Sequence, residues 1–132
     1  MNTKLVKQWF KYAVADLKLA KNSVSFNAEL KALSAFHSQQ CAEKAMKGYL
    51  TFYKVRFPKT HDLGALIDLI EEFDKTLAKK LRKSEAIVDY AVTYRYPDAE
   101  RKPLTLAKTK SAIKIAEMVF DLCHAKVNKS TK

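Results

Sequence analysis

The sequence predicts an all-α domain, a helical bundle, and three observations predict it. Turn-forming material is scarce, with two glycines and three prolines in 132 residues, whereas Lys, Ala and Leu, which favour helix, are the commonest residues. Apolar residues recur every three or four positions in five separate stretches, the period of a helix that buries one side. Hydrophobic residues make up 48% of the chain, enough at this length to bury a core without disulfide or metal staples.

The first helix is expected over residues 3–22, where Leu5, Trp9, Tyr12, Ala13, Asp16, Leu17 and Ala20 keep the helical spacing. Asn2 or Thr3 can cap its start. On this spacing Trp9 and Tyr12 pack against the next helix. Residues 22–27, NSVSFN, are short of helix formers and form a link. The central helix is expected over residues 28–53, with Ala28, Ala32, Ala35, Ala42, Met46, Tyr49 and Tyr53 along its core side.

Pro58 disfavours helix at Phe57. A third, shorter helix then follows, marked by Leu63, Leu66, Ile67, Ile70 and Phe73, with Thr60 placed to accept hydrogen bonds from its first turn. Asp62 sits at the positive end of that helix dipole, and His61 beside it is either a cap neighbour or a site residue. A fourth helix is expected over residues 76–94. Pro97 and Pro103 bracket a charged loop, RYPDAERKP, which must face water or a ligand. The last helix, residues 104–124, is apolar over a wide arc, which implies burial on two sides, within the bundle or against another chain. Residues 1–124 thus form a single domain, and the basic residues 125–132 a disordered tail.

Lys and Arg total 25 against 14 acidic residues, a formal charge of +11. Such a field attracts polyanions, so RNA, nucleotides or an acidic protein are the natural partners, with a plain solvated basic surface as the alternative. No run of about 18 apolar residues exists to span a bilayer. The amphipathic, charge-broken N-terminus is unlike a signal peptide, which points to the cytoplasm. Cys41 and Cys123 lie in apolar helical patterns and read as reduced, buried thiols. With three histidines and no CxxC, neither a zinc centre nor another cofactor is expected.

Candidate site residues fall in three places. The central helix carries a polar line, His37, Gln40, Lys44 and Lys47, with Gln39 and Glu43 on its flank. Glu43 and Lys47 are spaced for a helical ion pair. Partly buried beside His37, Gln40 and Arg95, the two would instead make a polar pocket between helices. In RYPD, Arg95 offers a planar fork for phosphate, Tyr96 a ring to stack on a base, and Asp98 an acceptor. The structural alternative has Arg95 pairing with Glu43 or Asp62 to hold the loop. Lys79, Lys80, Arg82 and Lys83 form a basic run suited to a phosphate backbone or to solvent.

The segments FHSQQCAEKAMKGYL, KTHDL and VDYAVTYRYPD, in that order after an opening WFKYAVADLKLA, resemble the HEPN domain family over roughly the whole chain. The resemblance implies an up-and-down bundle of four to five helices that usually dimerises. It also implies one of three roles: binding nucleotide, serving as helical partner of a separately encoded minimal nucleotidyltransferase, or acting as a metal-independent ribonuclease toxin. Ribonuclease members carry an arginine followed by a histidine one to two helical turns on. The histidine moves the proton of a ribose hydroxyl and the arginine stabilises charge on the phosphate. Arg56 and His61 match the spacing, but Phe57 stands where a polar residue is usual and Pro58 breaks the helix. The expectation is therefore a homodimeric nucleotide- or RNA-associated binding subunit, partner of a minimal nucleotidyltransferase in a toxin–antitoxin-like pair. The nucleotidyltransferase would supply the catalytic carboxylates, since this chain has no paired-aspartate motif for two metal ions. A ribonuclease toxin using Arg56 and His61 and a purely structural dimerisation module are the alternatives.

Overall fold

A computed structural model of the chain describes residues 3–94 and 96–131. It contains α1 (Thr3–Asn22), α2 (Ala28–Phe52), α3 (Leu63–Glu71), α4 (Lys75–Leu81), a 3-10 segment (Arg82–Ile87), α5 (Val88–Thr93) and α6 (Leu106–Thr131). The fold is the predicted all-α up-and-down bundle. The segment α4 to α5 is one bent rod, so the architecture has five helical rods. None of its helices, among the described residues, is long and apolar enough to cross a membrane.

α2 is the axis of the bundle because small residues line it on every side. From Cys41 to Leu50 only Lys44 is not buried. α1 runs antiparallel to it, with Ser34 Oγ donating to the Ala20 carbonyl at 2.7 Å. α6 runs parallel to it, with the Cys41 thiol 4.0 Å from the Ala116 carbonyl oxygen. At Gly48 α1 packs close on α2: an added Cβ would stand 2.9 Å from a Phe10 ring carbon. That ring is itself packed edge-on against Phe120 and His124, so it can yield only by giving up those contacts. Gly48→Ala is therefore expected to destabilise: overpacking of about 1–3 kcal/mol outweighs the gain of roughly 1 kcal/mol in helix propensity. A lower urea midpoint checks it.

Side-chain caps set the helix starts. Asn27 Oδ1 accepts from the Leu30 amide at 3.0 Å, and Asp74 accepts from the Leu77 amide at 2.9 Å. α3 is capped by Asp62, which accepts from the amides of Gly64 and Ala65 at 2.9 and 3.4 Å. Thr60, expected in that role, instead accepts from the Asp62 amide at 3.0 Å. α2 ends with Lys54 in the left-handed region, φ 59°. There the Lys54 and Val55 amides close back on the Thr51 and Leu50 carbonyls, a Schellman end.

Four expectations are corrected. On α1 the buried line is Val6, Phe10, Ala13, Asp16 and Ala20, while Leu5 and Tyr12 are exposed. α1 is wedged against both α2 and α6, which turns its aromatics at positions 9 and 12 to one flank. Tyr53, expected on the core side of the central helix, is exposed, and Phe73, expected to mark the third helix, is exposed and lies beyond its end at Glu71. The fourth helix is broken where the buried Ser84 hydroxyl donates to the Leu81 carbonyl at 2.6 Å, a local bond that competes with the helix ladder. The last helix starts later, capped by Thr105 Oγ1 on the Lys108 amide at 3.1 Å. It continues through Thr131, past the tail boundary at 124, because Val127 extends the apolar line of Val119 and Cys123 and is buried. The alternative N-cap Asn2 lies outside the described residues.

Candidate functional site

The polar line of α2 is divided between two buried carboxylates. The first is Glu43, only 3% exposed. Lys47 Nζ donates to its Oε2 at 3.0 Å, and its Oε1 lies 2.8 Å from His61 Nδ1 and 3.4 Å from Gln39 Nε2. Gln39 Nε2 also donates to the His61 carbonyl at 2.9 Å, and Gln40 Nε2 donates to Gln39 Oε1 at 2.9 Å. A carboxylate this deep persists only when its oxygens are matched by donors. The consequence falls on His61, which is gripped by both ring and main chain. A carboxylate can only accept, so Nδ1 carries the proton and Nε2 is left on the open side. The His61 side chain is 74% exposed, so a histidine of fixed tautomer stands at the surface, able to exchange a proton or, once charged, to meet an anion.

Two aromatic rings roof this knot. The Lys47 ammonium lies 5.8 Å from the centroids of both Trp9 and Phe57, which meet edge-on at 6.2 Å. Phe57, the residue that departs from the ribonuclease pattern, thus has a packing role beside Lys47. Arg56 is exposed on the same loop as His61, and the pair lies outside any helix, as Pro58 predicts.

The second carboxylate is Asp16 of α1, which the sequence pattern sets within an apolar stripe. Its Oδ1 lies 2.9 Å from His37 Nδ1 and its Oδ2 accepts from Lys44 Nζ at 2.5 Å. Lys44 also stands 5.9 Å from the Tyr12 ring centroid. His37 is thus bound to Asp16, while Gln40, Glu43 and Lys47 share the His61 network. An aspartate on the buried stripe of a helix is the signal that would have revealed it.

Arg95 lies outside the described residues. Tyr96 and Asp98 are both exposed. Asp98 Oδ1 accepts from the Glu100 amide at 3.0 Å, and its Oδ2 lies 3.7 Å from Arg101. Arg101, absent from the sequence-based candidates, donates to the Tyr96 carbonyl at 2.6 Å and covers the Tyr94 ring at 4.9 Å. This loop faces the first turns of α2 across a cleft of about 570 Å³ lined by Leu33, Phe36, Tyr94, Tyr96, Arg101 and Lys102. Phe36 and Glu43 are seven residues apart on one helix, about 10 Å of rise, so the cleft and the His61 knot are separate places. In the basic run, Arg82 is tied to Asp68, Glu71 and Glu85 at 2.7, 2.8 and 3.0 Å. These bonds hold its guanidinium charged and leave Lys79, Lys80 and Lys83 as the exposed cations. Among the described residues no three His, Cys, Asp or Glu side chains are grouped to hold a metal ion.

The chain is similar to known proteins over most of its length. The HEPN domain family model matches residues 6–127. A Methanocaldococcus jannaschii protein named as a candidate toxin, MJ1304, is 31% identical over 103 residues, covering 74% of this chain and 66% of the relative, just under two thirds of its length. The crystal structure of TT1696 from Thermus thermophilus shares the fold, with a TM-score of 0.74 at 23% identity over 96% of this chain and 99% of that one. The crystal structure of ST0689, an archaeal HEPN homologue, has a TM-score of 0.69 at 27% identity over 92% of this chain and 97% of that one. The family match takes in α1, the Glu43 helix, the His61 loop and most of α6 together, and the chain belongs to the HEPN domain family.

Proposed function

We propose that this chain is a nucleotide- or RNA-associated HEPN subunit, homodimeric, that works with a separately encoded minimal nucleotidyltransferase in a toxin–antitoxin-like pair, and that His61 is the residue through which it meets a phosphate. The observation that carries it is the buried Glu43 that fixes His61 Nδ1 at 2.8 Å while the imidazole stays open to solvent. The net charge of +11 supports an anionic ligand, and the name of the M. jannaschii relative supports the toxin–antitoxin setting.

A thermal-shift panel with ATP, GTP, their monophosphates and a short RNA, at two salt concentrations, tests it. Ligand at 100 times its dissociation constant stabilises the native state by about 2.7 kcal/mol, several degrees for a domain of this size. The shift is expected to vanish in His61→Ala. A shift that survives in His61→Ala but is lost in Arg95→Ala would move the site to the RYPD cleft, and no shift with any ligand would refute the phosphate role. Co-purification with a nucleotidyltransferase from the native cell tests the partner, and sedimentation the dimer.

The same geometry favours a second reading, a metal-independent ribonuclease. In it His61 Nε2 takes the proton of a ribose 2′-hydroxyl, the freed oxygen attacks phosphorus, and the departing 5′-oxygen receives the proton back. Arg56 balances the charge on the phosphate. RNA cleavage in EDTA that falls by about 100-fold or more in His61→Ala is its expected result. Unchanged cleavage would remove His61 from the chemistry.

A further inference from the structure

On the side of α1 turned away from the His61 knot, an open trough of about 890 Å³ lies between α1 and α6. Its apolar lining is Val6, Phe10 and Val14 from α1, Phe52 from α2, and Phe120 and Val127 from α6. Lys7, Lys11 and Lys18 line it along α1. At about 100° per residue these three lysines fall on one stripe, roughly half a turn from Trp9 and Asp16. The trough and the His61 site are therefore independent.

We infer that this trough is a docking groove for an amphipathic helix with acidic flanks, contributed by a partner chain. Its shape fits a helix, since Thr3 to Lys18 spans about 22 Å, or four turns, and an apolar groove of that length takes residues spaced by three, four and seven. Its charge selects the partner. The one acidic residue of α1 is Asp16, which is buried and matched to His37 and Lys44, so the exposed charge of that helix is wholly positive. Of the two acids on α6, Glu117 pairs with Lys21 at 3.6 Å, and neither Glu117 nor Asp121 lines the trough. A second copy would set two lysine stripes against each other, a like-charge juxtaposition that disfavours it. A lone carboxylate on an acyl chain would use one lysine, whereas three are spread along the length.

Selection from a random helical-peptide display library against the full chain tests this inference. Enriched peptides are expected to carry an apolar stripe flanked by Asp and Glu. Their affinity should fall by roughly tenfold or more in the charge-reversed K7E/K11E/K18E and in Val14→Glu, and should be unaffected by His61→Ala. Circular dichroism melts of both groove variants confirm that they fold. Absence of acidic amphipathic sequences among the enriched peptides, or binding indifferent to both variants, would overturn the inference. So would self-association of the parent chain that Val14→Glu abolishes, which gives the trough to a second copy.

Discussion

Replacing Glu43 by leucine is expected to destabilise the fold by about 3–5 kcal/mol, the usual penalty for stranding one charge of a buried pair. Lys47 is 9% exposed in its side chain and its hydrogen bond to Glu43 is a 3.0 Å contact. The faces of Trp9 and Phe57 can return only about 0.5–2 kcal/mol to an ammonium without its carboxylate. Replacing both partners, Glu43→Leu with Lys47→Met, should recover most of the loss, because neither member of the pair is then left charged and unmatched inside. Urea midpoints at unchanged m-value measure both steps. The double variant has a second use: it is folded but has lost the brace on His61. If the phosphate response depends on a fixed imidazole, it should weaken there even though His61 is present. A single variant within about 1 kcal/mol of the parent would mean that Lys47 swings out to water and that the knot is weaker than its geometry suggests.

The parts of this fold that local chemistry dictates could be read from sequence. α2 announces itself by small residues at helical spacing and by the absence of proline, and the loop at Pro58 by its ring. The phase of α1 could not be read so directly. Leu5, Trp9 and Tyr12 offer as much apolar side-chain surface as Val6 and Phe10, and only contact with two neighbouring helices decides which line goes inside. Trp9 and Tyr12 keep to the flank because their faces cover Lys47 and Lys44, a use of aromatic rings that hydropathy does not register. The break at Ser84 and the extension of α6 past residue 124 are likewise tertiary effects. In one a hydroxyl turned inward competes with the ladder, and in the other Val127 finds a core to join.

The site divides in the same way. Glu43 and Lys47 are an i, i+4 pair, and their burial follows from a helix surrounded on all sides. That His61 should reach the same carboxylate from 18 residues further on is a consequence of how the 54–62 loop folds back over α2. No spacing rule contains it. From sequence, His61 carries little weight because its ribonuclease-like pairing with Arg56 falls in a loop. The loop placement holds, yet the loop histidine is the one with a buried carboxylate behind it. His37, set among the polar line of α2, belongs instead to Asp16, so the two histidines are held by different carboxylates from different helices.

Alkaline pH is expected to destabilise this protein, its two buried thiols adding to Tyr49, whose hydroxyl burial pushes up to about 12. Burial, and after it the charge of Asp16, pushes Cys41 from its ordinary value of 9.0 to about 12. Burial, and after it Cys41 itself, raises Cys123. A thiol whose folded pKa is raised stays protonated in the native state while the unfolded chain ionises. Its contribution is complete below the ordinary thiol range and is lost as pH rises toward the folded value. At pH 11, two units above the ordinary value, Cys41 alone should have withdrawn about 3 kcal/mol, with Cys123 acting in the same direction. Against a typical domain stability of about 5–15 kcal/mol that is a large share. Lysine neutralisation over the same range also changes the net charge, so the measurement is a difference: urea stability at pH 8 and pH 11 for the parent and for Cys41→Ala. The variant is expected to be the less stable of the two at pH 8, where it has lost buried sulfur, and to lose about 3 kcal/mol less on going to pH 11. Parallel losses in the two proteins would show that Cys41 reaches water in the native state, and would place its helix turn, one step before the Glu43 knot, among the parts of the bundle that open.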